Sequence, residues 1–122
     1  MPVLPLYVFG TLRRGECNHH FLSGAYERLR PARLTGFTNV VPLMIARQPG
    51  SVVIGELYDL TPSTYSQCLQ RCDQLEEIPA GETIGREYRR IPVRVLTDGG
   101  EVIAWAYVRP DVEPDDDLRH LL

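Results

Sequence analysis

The chain has 122 residues, 43% of them hydrophobic and 24% charged, which suits one globular domain and is too apolar for a disordered chain. All 13 basic residues are arginine; the lack of lysine excludes Schiff-base chemistry of the pyridoxal-phosphate kind and a Walker-type phosphate loop. The net charge of −3 is uneven: residues 111–122 hold five acids and one arginine, the rest twelve arginines and eleven acids, so no basic footprint for nucleic acid exists.

Residues 3–9 are apolar and β-prone and stop at Gly10, which predicts a buried strand running into a loop over Thr11–Gly15. Asn18 can open a short helix over 18–29. Residues 33–46 alternate weakly around Gly36 and Pro42 and read as a bent strand. Gln48-Pro49-Gly50 reads as a turn, and Ser51–Leu60 as a strand in which Gly55 marks a bulge or a close backbone approach. Thr61-Pro62 is a helix start, with the helix expected over about 62–76. Ile78-Pro79-Ala80-Gly81 breaks it, and a loop continues to about Glu87. Arg89–Leu96 then reads as a strand, with Pro92 arguing for an edge or bulge. Asp98-Gly99-Gly100 is a hairpin turn, and Val102–Val108, apolar on both faces, is a central strand. The acidic stretch Asp111–Asp117 reads as a solvated end. The division expected is a domain over 1–110 and an acidic C-terminal tail over 111–122. Strands outnumber helices, so the fold class expected is α+β, a small mixed β-barrel with a few short helices.

Three cysteines with no framework spacing, an N-terminus without a charged n-region and the lack of a membrane-length apolar run point to a reduced, cytoplasmic protein with no membrane partner. Oligomeric state is not readable. G-x-S-x-G, C-x-x-C, H-E-x-x-H and G-x-G-x-x-G are all absent. Cys17, His19, Cys68 and Cys72 do not follow zinc-site spacings, and Cys68 and Cys72 fit better as small core residues on a helix face. No metal or organic cofactor is therefore expected.

Two segments carry chemistry. On the expected helix, Tyr65, Leu69, Cys72 and Glu76 follow i, i+4, i+7, i+11, while Ser66, Gln70, Asp73 and Glu77 share a polar face. Glu76 thus falls on the buried stripe and Glu77 on the wet one. Desolvation and the negative end of the helix dipole both disfavour a charged carboxylate, so the Glu76 pKa is expected to rise toward the range of proton transfer. A helix that frays before Glu76 leaves it merely wet. The second segment is Tyr7-Val8-Phe9-Gly10-Thr11-Leu12, where a strand ending at Gly can present backbone N–H groups to an anion, or can be an ordinary strand-to-loop transition.

Together these segments resemble the γ-glutamylcyclotransferase-like (AIG2-like) superfamily. Val8-Phe9-Gly10-Thr11-Leu12 is similar to the family's Y-G-[ST]-L loop, with Phe9 in place of Tyr. Cys72-Asp73-Gln74-Leu75-Glu76-Glu77 resembles L-D-x-x-E-G, with Cys72 for Leu and Glu77 for Gly. Tyr88–Val95 resembles Y-x-R-x-x-V-x-V, with Arg89 directly after Tyr88 and a longer loop before it. Gly55-Glu56-Leu57-Tyr58 and Ala104–Val108 match the G-E-L-Y and A-x-x-Y-V strands. The blocks run in family order from residue 7 to residue 108.

The resemblance implies a cofactor-free enzyme that releases 5-oxoproline from a small-molecule γ-glutamyl substrate, the substrate's α-amine attacking its own γ-carbonyl. It implies Glu76 as acid/base and the Gly10, Thr11 and Leu12 amides as the γ-glutamyl cradle. Tyr7 and Tyr107 either line the pocket or pack in the core. The alternative is a binding or regulatory module that keeps the barrel without turnover.

Overall fold

Alternation of apolar side chains along five strands places one set inside a barrel, and on the first strand and the end of the last strand the other face is buried beneath a helix. The computed structural model describes residues 3–9, 19–40 and 44–122. Its strands are β1 (Leu6–Val8), β2 (Tyr26–Val40), β3 (Met44–Leu60), β4 (Arg89–Thr97) and β5 (Gly100–Val108), with one α-helix, α1 (Tyr65–Leu75), between β3 and β4. The barrel order is β1-β3-β2-β4-β5. Closure comes from the parallel pair β1–β5, Leu6 opposite Trp105, with the Trp105 N–H donating to the Pro5 carbonyl at 2.9 Å. The other pairings are antiparallel. This is the small mixed barrel expected.

The interior is filled by Tyr7, Leu34, Val53, Leu57, Val93, Ala104, Ala106 and their neighbours. The residues between them point outward: Leu6, Val8, Tyr58, Trp105 and Tyr107 pack under Leu69, Cys68 and Cys72 of α1. A strand with both faces buried reads as continuously apolar, which is why β5 looked central. Gly55 is a close approach: a Cβ there would sit 2.7 Å from the Tyr7 hydroxyl. Its absence lets the Tyr7 ring cross the barrel and donate to the Val53 carbonyl at 2.8 Å.

Four expectations are corrected. The helix proposed over 18–29 is a single 3-10 turn, His19–Phe21, and β2 begins at Tyr26; β-pairing along the whole of β3 overrides weak local helix signals. The strand expected over 33–46 is instead the end of β2 and the start of β3. Gln48-Pro49-Gly50 is not a hairpin turn but lies in a bulge within β3: Thr35 pairs with Val52 and Phe37 with Arg47, leaving 48–51 opposite Gly36, with both Gly36 and Gly50 at positive φ. The acidic end is not simply solvated. Val112 and Leu118 are buried, a 3-10 segment forms over Asp116–Leu121, and Arg47, Arg89 and Arg94 pair with Glu113, Asp115 and Asp117. Pro92 sits where β4 pairs with β5 through Trp105, while β4 meets β2 farther along, Arg33 opposite Leu96. Among the described residues, no helix is long and apolar enough to cross a membrane.

Candidate active site

The helix end that carries Glu76 is closed by a Schellman cap. The Ile78 N–H donates to Asp73 O at 2.9 Å and the Glu77 N–H to Gln74 O at 3.0 Å. Glu76 is the C-cap, with its N–H on Cys72 O. The residue after it must turn left-handed, and Glu77 does so at φ 58°, without the glycine that relieves a Cβ there. Gly85 presses on this turn: a Cβ on it would lie 2.8 Å from the Glu77 carbonyl oxygen. The loop between α1 and β4 thus buttresses the cap.

Glu76 is half-buried and Glu77 exposed, as the helical spacing required. The Glu76 carboxyl is pushed up to about 7, first by burial, then by the negative charges of Asp73 and Glu77. Burial also raises the Tyr88 phenol, with Glu76 and Glu87 adding to it, which places Tyr88 in the same electrostatic neighbourhood. Cys68 and Cys72 are buried on the face packed against the barrel.

Asp73 departs from the expected pattern. It was grouped with Ser66, Gln70 and Glu77 on the wet face, yet it is buried. It lies at the margin of the stripe, next to Leu69 on the helical wheel, and two barrel residues satisfy it. Arg90 donates through Nε to Oδ1 at 2.8 Å and through Nη2 to Oδ2 at 3.0 Å. The Tyr107 hydroxyl donates to Oδ1 at 2.6 Å. The Arg90 guanidinium stacks on the Trp105 ring, 4.5 Å from its centroid. Trp105 Nε1 in turn donates to the Tyr65 hydroxyl at 3.0 Å, which donates to the Leu4 carbonyl at 2.7 Å. Tyr65 pins the start of α1 and Asp73 its end. The arginine in the apolar strand β4 was the available signal for this pair, because a buried charge needs a partner.

The site residues expected from the sequence fall in three places. Tyr107 and Glu76 both lie at the C-terminal end of α1, coupled through Asp73. Tyr7 points the other way, into the barrel, with its hydroxyl on Val53. Gly10, Thr11 and Leu12 lie outside the described residues, as does Cys17, so the expected meeting of the Gly10–Leu12 loop with Glu76 does too. A groove of about 280 Å³ flanks the same helix end, lined by Gln70, Asp73, Gln74, Glu82, Thr83 and Arg90 among others. Glu76 does not line it. Among the described residues, no group of three His, Cys, Asp or Glu could hold a metal ion.

Among the described residues, a five-stranded closed barrel carries one α-helix, and the cap of that helix holds a half-buried carboxyl raised to about 7. The chain belongs to the gamma-glutamyl cyclotransferase, AIG2-like family, whose model matches residues 6–121. It is similar to the gamma-L-glutamyl-butirosin B gamma-glutamyl cyclotransferase of Niallia circulans, 34% identical over 108 residues, which covers 84% of this chain and 65% of that relative. The match therefore spans just under two thirds of the relative's length. The crystal structure of YkqA from Bacillus subtilis superposes with a TM-score of 0.68 at 27% identity, covering 87% of this chain and 35% of that one. An AIG2-like protein from Mus musculus gives a TM-score of 0.61 at 20% identity, covering 94% of this chain and 81% of the other, a likeness of fold.

Proposed function

We propose that the protein is a γ-glutamyl cyclotransferase that releases 5-oxoproline from a γ-glutamyl amine, with Glu76 as the single acid/base. The observation that carries this reading is the Glu76 carboxyl, half-buried on the helix cap and raised to about 7. At neutral pH such a group exists in both protonation states, as a residue must that accepts and then returns a proton.

The reaction balances without water or cofactor. The carboxylate of Glu76 takes a proton from the substrate's α-ammonium. The freed amine attacks the γ-carbonyl carbon, a C–N bond forms, and the ring closes. The amide C–N bond to the leaving amine then breaks as Glu76 returns that proton to its nitrogen; the attacking nitrogen, cationic after the attack, gives up a second proton to the freed Glu76 carboxylate, which passes it to the departing amine, so 5-oxoproline leaves neutral at nitrogen and the amine leaves as an ammonium. Nucleophile and electrophile share one molecule, so positioning supplies much of the acceleration. In this reading the Gly10, Thr11 and Leu12 amides hold the γ-glutamyl group. Tyr107 contributes as a wall, with its hydroxyl engaged by Asp73, while Tyr7 packs in the barrel interior with its hydroxyl on Val53. The relative from Niallia circulans acts on gamma-L-glutamyl-butirosin B by its name, which supports a γ-glutamyl amide as the substrate class.

The test is Glu76→Gln assayed for 5-oxoproline release from a panel of γ-glutamyl amines and dipeptides. Release should fall by about a hundredfold or more. Thermal melts give a second readout. A carboxyl raised from 4.5 to about 7 in the folded state binds more protons folded than unfolded within that window, so it lowers stability as pH rises through it. Glu76→Gln should therefore gain stability at pH 8 relative to wild type and not at pH 4.5. Wild type inactive on every compound moves the binding-module reading ahead; an active Glu76→Gln removes Glu76 from the mechanism.

A further inference from the structure

We propose that Asp73, clamped by Arg90 and Tyr107, is a positioning residue that aims Glu76 and sets the charge around it. The inference rests on the acid/base reading of Glu76 and extends it to a second carboxylate three residues earlier.

The geometry carries it. Asp73 has both oxygens occupied by donors from two different strands, Arg90 on β4 and Tyr107 on β5. Its backbone carbonyl accepts the Ile78 N–H that closes the cap around Glu76. One residue thus ties the barrel wall to the turn from which Glu76 projects. A bidentate pair fixes direction as well as distance, and Arg90 is itself held flat on Trp105. The anchor is buried on both sides, with 4% of the Arg90 side chain and 13% of the Asp73 side chain exposed. Solvated surface ion pairs do not hold a turn in this way.

The electrostatic side has several members. Asp73 and Glu77 lie on the same segment as Glu76, and Cys72 one turn back. Tyr88 faces it from the approach to β4, with Glu87 acting on Tyr88, and Arg90 and Tyr107 reach Asp73 from the barrel. Of these, Asp73 is the buried anion nearest in sequence, and Arg90 its counter-ion.

Two variants separate aim from charge. Asp73→Asn keeps the shape but removes the anion. The acid-side limb of the kcat profile should move down by about one pH unit, and kcat should fall by about tenfold to a hundredfold with KM within about twofold, as expected of misplacement. Asp73→Glu keeps the charge on a longer arm, so the limb should stay while kcat falls. A direct readout needs no substrate: the Glu76 side-chain carboxyl is titrated by its 13C shift in each variant. Folded Asp73→Asn with wild-type kcat and an unmoved Glu76 titration overturns the proposal. If Asp73→Asn does not fold, Tyr107→Phe decides. It leaves Asp73 charged with one donor fewer, so the Glu76 titration should move up and kcat should fall; no change in either overturns the proposal. Inactivity of wild type on all γ-glutamyl compounds is a failure of the catalytic reading alone, because the titration still reports whether Asp73 governs Glu76.

Discussion

Arginine–carboxylate pairs occur in two regions of this molecule with opposite surroundings. Under the C-terminal end of α1, Arg90 and Asp73 are largely buried and share their contact with Tyr107 and Trp105. Along the acidic segment that follows β5, Arg94 reaches Asp115 and Asp117, Arg47 reaches Asp115, and Arg119 reaches Glu113 and Asp116. All of these are partly or largely exposed. The chemistry is the same and only the dielectric differs. In the first region the ions were costly to desolvate and cannot be separated cheaply. In the second, water competes with every contact, and the segment is held as much by buried Val112 and Leu118 as by charge. A buried pair can fix one orientation; an exposed series can tether a segment without fixing it.

The largest effect expected from this contrast is on stability. Arg90→Met leaves Asp73 and the Tyr107 hydroxyl facing each other in an apolar setting, and should cost about 3–5 kcal/mol in urea unfolding. Adding Asp73→Leu and Tyr107→Phe should recover most of that loss, because a matched apolar set no longer strands a charge. If the triple variant is as unstable as the single one, packing around Trp105, not the uncompensated charge, is what the single change damaged.

How this region reads from the sequence follows the same physics. Strands β1, β4 and β5, the later half of β3 and the burial of Glu76 relative to Glu77 are local-pattern signals, and they are legible. So is Gly55, whose closeness to Tyr7 is the backbone approach its place in a strand suggested. At Pro62 a 3-10 turn over Pro62–Thr64 precedes α1, and the Thr61 side chain makes no capping hydrogen bond. Asp73 is not legible by periodicity, since an acid at the margin of a helix stripe reads as wet until a partner from another strand is known. Arg90 lies seventeen residues away in sequence and announces itself only as an arginine in an apolar strand. Long-range pairing also explains the bulge at 48–51, since register with Thr35 and Phe37, not the Pro-Gly dipeptide alone, decides what those residues do. The docking of residues 111–122 was hidden for the related reason that charge runs read as solvated. Its arginine partners come from β3 and β4, and its buried anchors are single apolar residues spaced among acids.

A smaller effect belongs to the cap between the buried pair and Glu76. Glu77 holds a left-handed φ of 58° with a Cβ, which costs about 1 kcal/mol relative to glycine. Glu77→Gly should therefore raise the melting temperature, and removing one neighbouring negative charge should lower the Glu76 titration slightly. Both are read on the folded variant, by calorimetry and by the 13C carboxyl shift. A fall in melting temperature would mean that the Glu77 side chain, although exposed, holds the turn.

The smallest effect should be at the exposed series, and its sign with pH is opposite to that of Glu76. Side-chain hydrogen bonds from Arg109, Arg119 and Arg94 hold the Asp111, Glu113 and Asp117 carboxyls below their ordinary values. A carboxyl depressed in the folded state stabilises above its unfolded value, and that contribution is lost as pH falls through the folded one. Glu76, raised instead, lowers stability as pH rises from 4.5 to about 7. Melting temperature should therefore fall on both sides of a mildly acidic optimum, and the two limbs should respond to different variants. Arg94→Gln should leave the melt at pH 7 nearly unchanged and flatten the acid limb. Salt at about 1 M, where screening acts over about 3 Å, should do the same. Glu76→Gln should flatten the neutral limb, and salt should barely affect it, because that carboxyl is shielded from counter-ions by its burial. An Arg94→Gln variant that melts well below wild type at pH 7 would show that the exposed series carries as much of the fold as the buried pair, and the distinction between the two regions would have to be abandoned.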